Sequence, residues 1–328
     1  MVFNKTNSMK VVFLDTVHSI LEERLLANGF VCVNAIKLNY ENCLKTLSNA
    51  DGIVIRSRFK LNSDVLSNCH SLKFIARSGS GLENIDLNYC KKRGIKVYNS
   101  PEGNRDAVAE HGLGMLLNLF NNILVADSEI RKGKWIRENN RGIELAGKTI
   151  GIIGFGNNGE ALAKKLSGLN MQILAYDKYK NGFGDCKIKE SSLEEIYEKA
   201  NIVSFHIPQN EETINYANDD FFESFKDKIY LMNLSRGNIV NTSSLVKNMK
   251  NGKVIGACLD VLEYEKTTFE ELFKEKSSPE YDYLIKSKNV ILSPHIAGWT
   301  EESFFKLSNV LADKILNQFN PCTLSKLP

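Results

Sequence analysis

At 328 residues the chain has room for about two domains, and 43% hydrophobic and 25% charged residues describe an ordinary globular protein with a sizeable core. A net charge of +3 is too small to argue for nucleic acid or a membrane surface, and no apolar run reaches transmembrane length. Seven scattered cysteines (Cys32, Cys43, Cys69, Cys90, Cys186, Cys258 and Cys322) form no C-x-x-C pair, and the N-terminus MVFNKTNSMK has no apolar signal core, so disulfides and zinc are not expected and a cytoplasmic home is.

The first hundred residues alternate strand and helix. MKVVFLD reads as a strand, and SILEERLLANGF as an amphipathic helix closed by Gly29. GIVIRS, LKFIARS and IKVYNS are further short apolar runs, with helix-like YENCLKTLSNA and LNYCKKRG between them. Such alternation predicts a parallel sheet covered on both faces. One detail is odd: GIVI runs straight into Arg56-Ser57-Arg58, two guanidiniums that repel unless an anion sits between them.

A boundary is expected at Asn99-Ser100-Pro101, with Ser100 as helix cap and Pro101 in the first turn of a helix over about 102–121. That helix packs either against a sheet or at a domain or subunit boundary. From residue 149 the alternation restarts: TIGIIGFG, MQILAYD, NIVSFHIP, KIYLMNLSRG, KVIGACLDV and NVILSPH read as strands, and a last helix follows from about 301. The fold class is therefore α/β, with two doubly wound, Rossmann-like parallel sheets. Residues 101–298 form the dinucleotide-binding domain; residues 1–100 and 299–328 form a discontinuous substrate domain.

The strongest local signal is TIGIIGFGNNGEALAKKLSGLNMQILAYD. Gly154-x-Gly156-x-x-Gly159 sits between an apolar strand and a helical pattern, and Asp177 closes the next strand. Gly154 permits the tight turn, Gly156 lets pyrophosphate approach the main chain, and Gly159 lets helix and strand pack closely. The helix N-terminus offers unpaired N–H groups to the anion. Asp177 accepts from both ribose hydroxyls and repels a 2′-phosphate, which selects NAD over NADP; Lys178 and Lys180 would partly offset that repulsion.

Ligands of open α/β sheets gather at the carboxyl ends of the strands. Those ends read His206-Ile-Pro208, Ser235-Arg236-Gly237, Asp260 and Pro294-His295, with Glu265 in the loop after Asp260. Oxidising a secondary alcohol needs a base near neutrality, which histidine supplies, and a carboxylate beside it to orient the ring. An arginine can grip a substrate carboxylate with two prongs. The bland reading has His18, His70 and His111 as surface or capping residues, His206 as a lining group, and Glu265 as part of a solvated charged run.

ELAGKTIGIIGFGNNG, NLSRGNIV, GACLDVLEYE and SPHIAG, in that order, resemble the D-isomer-specific 2-hydroxyacid dehydrogenases; RSGSGLENID and NSPEGNRDAVAEHGLGMLL add to the likeness. The resemblance implies that His295 moves the proton, that Glu265 pairs with it, and that Arg236 binds the substrate carboxylate and carbonyl. It places Asp260 near the nicotinamide end, and puts Asn157, Asn158, Pro208, Leu234, Ser235 and Gly298 along the cofactor. N–H groups around Ser78 and Gly79 would receive the carboxylate, and Asn104 would lie at a cleft that closes on substrate. It also implies a homodimer built around the helix that begins near Pro101. There are departures from the family pattern: Lys266 stands where proline commonly follows the glutamate, a longer charged insertion, FEELFKEKSSPEYDYLIKSK, lies between it and His295, and the usual small-residue turn after His295 becomes Ala-Gly-Trp299-Thr300.

Under this resemblance Arg56 and Arg58 suit a second anion at the far end of the substrate, where a phosphate offers oxygens to both. RSRFKL resembles the matching segment of phosphoglycerate dehydrogenases, so the expected reaction is NAD-dependent oxidation of 3-phospho-D-glycerate to 3-phosphohydroxypyruvate, the entry to serine. The chain ends at Pro328, and no regulatory domain or feedback inhibition by serine is expected. The alternative for the arginines is pairing with Asp51 or Asp64. The alternatives for function are an unphosphorylated acid (glyoxylate, hydroxypyruvate, D-lactate) or an NAD(H)-sensing partner-binding protein.

Overall fold

The structure is a computed structural model and describes residues 8–265 and 278–319. Lys266 and the first part of the charged insertion, residues 269–277, lie outside the described residues. The chain divides into two compact units. One comprises the chain up to Asn104 together with that from Trp299; the other runs Arg105–Gly298.

The first unit carries strands β1 (Lys10–Phe13), β2 (Val31–Asn34), β3 (Gly52–Ile55), β4 (Phe74–Arg77) and β5 (Lys96–Asn99), all parallel in the order β2-β1-β3-β4-β5. Its helices α1 (Ile20–Ala27), α2 (Tyr40–Leu47), α3 (Ser63–Ser67) and α4 (Leu87–Arg93) connect successive strands. Successive strand residues point to opposite faces, and both faces are apolar here. Val12, Ile53 and Ile75 pack on one side with Leu47 and Leu66. Val11, Val54 and Phe74 pack on the other with Leu311 and Ile315. Each such buried aliphatic side chain contributes about 1.5–3 kcal/mol.

The second unit holds α5 (Arg105–Phe120) and α6 (Ile123–Arg131), then β6 (Thr149–Ile153), α7 (Asn157–Leu166), β7 (Gln172–Tyr176), β8 (Ile188–Glu190), α8 (Leu193–Lys199) and β9 (Ile202–Phe205). After these come α9 (Asp219–Glu223), β10 (Ile229–Asn233), α10 (Thr242–Lys250), β11 (Val254–Leu259), α11 (Pro279–Lys286) and β12 (Val290–Leu292). The parallel sheet runs β12-β11-β10-β9-β6-β7-β8. The strand order reverses direction at β6, so a crevice opens outside its carboxyl end beside β9. In the first unit the same reversal falls between β1 and β3.

The long helix starts later than its cap signal suggests. Residues 101–104 form a turn and α5 begins at Arg105. A Cβ on Gly103 would stand 2.6 Å from the Leu307 nitrogen, so this turn is pressed against the last helix, α12 (Glu301–Phe319), before α5 can begin. α12 itself packs on α1, β4 and β5. Among the described residues no helix is long and apolar enough to cross a membrane.

Candidate active site

The fingerprint glycines stand where their roles require. Gly154 has φ +96, and a Cβ there would meet the His206 carbonyl oxygen at 2.6 Å. A Cβ on Gly159 would lie 2.1 Å from the Gly154 oxygen, so α7 rests directly on the turn. At Gly156 an added Cβ would meet nothing within 4 Å, which is the open space a pyrophosphate needs. Gly156 caps α7 without a side-chain hydrogen bond, so Asn157 and Asn158 begin the helix with N–H groups aimed outward. The Asn158 Oδ1 is buried and has no partner.

Asp177 follows β7 and is fixed by the main chain. Its Oδ2 accepts from the Phe155 N–H at 2.8 Å, and its Oδ1 from Tyr179 at 2.9 Å and Lys180 at 3.0 Å. Lys178 is paired with Glu212, and Lys180 donates to the Phe155 carbonyl at 2.9 Å. Both lysines are thus engaged beside the turn. These features fit a dinucleotide with an unmodified ribose.

On the opposite side of the crevice, β9 runs into His206 and exposed Pro208. The His206 Nε2 meets the Ser204 hydroxyl at 2.8 Å, while its Nδ1 is enclosed without a partner. Burial pushes this imidazole down to about 4, so it stays neutral at physiological pH.

The turn after β10 is built by Asn233, which is fully buried. Its Oδ1 accepts from the Ser235 N–H (3.1 Å) and hydroxyl (2.8 Å), and its Nδ2 donates to the Arg236 carbonyl at 2.8 Å. Leu234 is buried beneath, and the Arg236 Nη1 donates to the Ser235 carbonyl at 2.6 Å. The arginine is therefore held close to the strand end.

Two neighbouring loops bring Glu265 and His295 together. The Glu265 N–H donates to the Leu262 carbonyl at 3.1 Å while its Oε1 accepts from the Leu262 N–H. Its Oε2 lies 2.7 Å from the His295 Nδ1. Both side chains are largely sheltered, at 14% and 23% exposed. His295 itself has φ 54, a left-handed conformation that costs a non-glycine residue about 1–2 kcal/mol.

Asp260 holds that conformation. Its Oδ1 accepts from the Ser293 hydroxyl (2.6 Å) and the Ile296 N–H (2.9 Å); its Oδ2 accepts from the Ala297 N–H (2.9 Å). The Asp260 carbonyl takes the His295 N–H at 2.8 Å. The carboxylate, 1% exposed, is thus a brace for the histidine loop that continues to Gly298. His111 belongs here as well: its Nε2 meets the Ser293 hydroxyl at 2.9 Å. Sequence reasoning left it on the surface, since a histidine inside a helical pattern gives no sign of a partner so distant in sequence.

The residues expected to bind substrate in the first unit are rearranged. Arg58 turns inward: its Nη1 donates to the Leu14 and Ala35 carbonyls at 3.1 Å each, its Nη2 to the Leu38 carbonyl at 2.5 Å, and it stacks on Phe59. That engagement removes it from the expected two-arginine clamp, and it pairs with neither Asp51 nor Asp64. The anion facing Arg56-Ser57-Arg58 is Asp15, whose Oδ2 accepts from their three successive N–H groups at 2.6, 3.0 and 3.1 Å. Arg56 instead lays its guanidinium on Trp299.

The N–H of Ser78 is used by the Ile55 carbonyl (2.8 Å), and that of Gly79 by the Ser100 hydroxyl (3.3 Å). The next two, Ser80 and Gly81, have no acceptor among the described residues. Asn104 takes the Ser80 hydroxyl at 2.9 Å and steadies this loop. Arg77, overlooked in the sequence, lies over Gly79, where a Cβ would come within 1.7 Å of its Nη1. Its signal was present: the apolar runs GIVIRS and LKFIARS both close with Arg-Ser.

Residues 113–297 match the model of the D-isomer specific 2-hydroxyacid dehydrogenase, NAD binding domain. The chain is 33% identical over 311 residues to a D-3-phosphoglycerate dehydrogenase of Archaeoglobus fulgidus, covering 94% of this chain and 57% of that one. It is 33% identical over 286 residues to a hydroxypyruvate reductase of Thermotoga maritima, covering 87% and 90%. A D-lactate dehydrogenase of Aquifex aeolicus, solved with NAD and lactic acid, superposes with a TM-score of 0.80 at 27% identity over 97% of each chain. The chain thus spans little more than half the length of the phosphoglycerate dehydrogenase it matches.

Proposed function

Because the chain belongs to the D-isomer specific 2-hydroxyacid dehydrogenase family, we propose that it interconverts a D-2-hydroxy acid and its 2-keto acid, most specifically 3-phospho-D-glycerate and 3-phosphohydroxypyruvate. The observation that carries the chemistry is the 2.7 Å contact between the His295 Nδ1 and Glu265. With Nδ1 committed to the carboxylate, the tautomer assigns proton transfer to Nε2. In the oxidative direction His295 takes the hydroxyl proton there; in the reductive direction it returns the proton to the carbonyl oxygen. Arg236 grips the substrate carboxylate and polarises the adjacent carbonyl. Asp260 and Ser293 keep the imidazole in its strained position through the turn. NAD, when bound, supplies the hydride acceptor. Gly154, Gly156, Gly159 and Asp177 hold it, and the neutral ring of His206 borders it without adding charge.

The phosphorylated substrate is supported by Arg56 and Arg77, which end neighbouring strands in register Ile55↔Arg77 and stand close together, the Arg77 Nε donating to the Arg56 carbonyl at 3.2 Å. A second reading, reduction of unphosphorylated hydroxypyruvate, is favoured by the inward turn of Arg58 and by the Thermotoga maritima relative. NADH consumption with 3-phosphohydroxypyruvate, hydroxypyruvate, glyoxylate and pyruvate side by side separates them. A preference of tenfold or more in kcat/KM for the phosphorylated acid is expected. Equal or better rates without the phosphate would overturn that substrate, and silence on all four would overturn the enzymatic reading.

We also propose a homodimer, with its surface moved from the expected place. α5 is buried along much of its length, whereas α6 has no buried residue and displays Ile123, Leu124 and Ile130.

A further inference from the structure

His111 stands on α5 where that helix comes close to the strand ends of its own unit. Gly112 beside it has no side chain, and a Cβ there would lie 3.1 Å from the Leu234 Cδ1 and 3.4 Å from the Met232 Cε. The close approach sets the His111 ring against the segment that follows β12, with its Nε2 2.9 Å from the Ser293 hydroxyl. Met115, one turn further along α5, places its Sδ 4.0 Å from the same hydroxyl. The His111 Nε2 is 3.7 Å from the Asp260 Oδ1, too far for a direct hydrogen bond, so Ser293 is the link between them.

Counting hydrogens fixes the direction of this chain. A carboxylate only accepts, and a serine hydroxyl has one hydrogen to give. The short 2.6 Å contact from the Ser293 Oγ to the Asp260 Oδ1 uses that hydrogen. The Ser293 oxygen therefore meets the His111 Nε2 as an acceptor, and Nε2 carries a hydrogen. In such a chain each hydrogen bond polarises the next. Beyond Asp260 the chain ends on the histidine turn itself. The carboxylate takes the Ile296 and Ala297 N–H groups at 2.9 Å each, and the Asp260 carbonyl takes the His295 N–H at 2.8 Å. That turn keeps His295 at φ 54, which is costly for a residue other than glycine and persists only with support from its surroundings.

We propose that His111 is a positioning residue for proton transfer: its Nε2–H locks the Ser293 hydroxyl towards Asp260 and so keeps the His295 turn in place. This rests on the reading of His295 as the proton-transfer group. A serine hydroxyl rotates to suit its neighbours. With His111 donating to its oxygen, the orientation towards Asp260 is the one that satisfies both partners. His111 acts through Ser293 and Asp260, and all four residues lie in the second unit.

The first test needs no turnover. In protein labelled with nitrogen-15 in its five histidines, the His111 ring signal is assigned by its loss in His111→Gln. It is expected to show a hydrogen on Nε2 at neutral pH, and a ring without one there overturns the inference. The second test is kinetic, with NADH and the keto acid that wild type reduces fastest. His111→Leu keeps bulk without a donor, and is expected to lower kcat about tenfold while KM for the keto acid moves by less than about twofold. His111→Gln offers an amide N–H in place of the ring N–H and is expected to recover most of the loss. On a Ser293→Ala background the further change to Leu at 111 is expected to cost less than about twofold, because the link is already gone. A His111→Leu enzyme equal to wild type, a His111→Gln enzyme as impaired as His111→Leu, or a full loss on the Ser293→Ala background each overturns the positioning role. An inactive His295→Asn enzyme beside an unimpaired His111→Leu enzyme removes that role alone. A His295→Asn enzyme with wild-type kcat removes the proton-transfer reading and this inference with it.

Discussion

Two histidines on the same rim are made different by what surrounds each ring. His295 has the Glu265 carboxylate on Nδ1. His206 has only the Ser204 hydroxyl on Nε2 and nothing on Nδ1, so desolvation is unopposed and its charged form is disfavoured. A neutral ring suits a wall beside a cofactor, and it has a cost in acid. The unfolded imidazole titrates near 6.5 and the folded one near 4, so the unfolded state binds more protons between those values. The contribution to stability is complete above about pH 6.5 and is lost as pH falls towards 4, reaching about 3 kcal/mol. His206→Asn removes the titration. The urea midpoint of that variant, followed from pH 7.5 to 4.5, is expected to fall less steeply than that of wild type. Parallel curves would show that His206 is not the titrating group.

At the level of the element, the β6–α7 turn separates binding from folding. Gly156 faces open space whereas Gly159 abuts the Gly154 oxygen. Gly156→Val should therefore leave the melting temperature of the protein without NAD within about 2 °C, and abolish the rise in melting temperature that saturating NAD produces. Gly159→Val should instead melt well below wild type without any ligand, because the helix must move off the turn. Equal thermal responses to NAD in Gly156→Val and wild type would place the pyrophosphate elsewhere. This turn was legible because all of it is local: strand, three glycines, helix and acid lie within one continuous stretch. The strands buried on both faces were legible for the same reason. β2 and β8 were not: both are short sheet-edge strands, β2 with no fully buried residue and β8 with one apolar residue among its three. Contacts made across the sheet were hidden too. Nothing near Arg58 in sequence announces the Leu14, Ala35 and Leu38 carbonyls, and the Asp15 carboxylate reaches its three amides only once β1 and β3 lie side by side. The pairing of Glu265 with His295 was expected from the resemblance; the brace formed by Asp260 required the folded loop.

For the whole molecule, the distribution of apolar surface bears on the proposed homodimer. Single exposed hydrophobic side chains are common and mean little, whereas a run of them along one helix and the segment after it is the kind of surface a partner covers, and it is there that we place the proposed dimer contact. Ile123, Leu124 and Ile130 on α6 are each about half exposed or slightly more, and Trp135, at 81%, stands beyond them with Ile136 and Ile143. Trp135 also lines a groove with Ala126, Glu129, Ile130 and Asn140, so the patch has relief as well as area. In a protein of this family a second copy of the chain is the partner that needs no further component, and a two-fold contact buries the same patch on both subunits. A stable dimer of ordinary size buries about 1,600 Å² in total, with aromatic anchors near its centre. Trp135→Ala combined with Leu124→Asp removes the anchor and puts an unpaired charge into the contact. Sedimentation velocity at micromolar concentration is expected to give a dimer for wild type and a monomer for the double variant, with the melting temperature of wild type alone rising with concentration. A monomeric wild type, or a double variant that sediments as a dimer, would remove α6 from the interface and leave its apolar face to another partner.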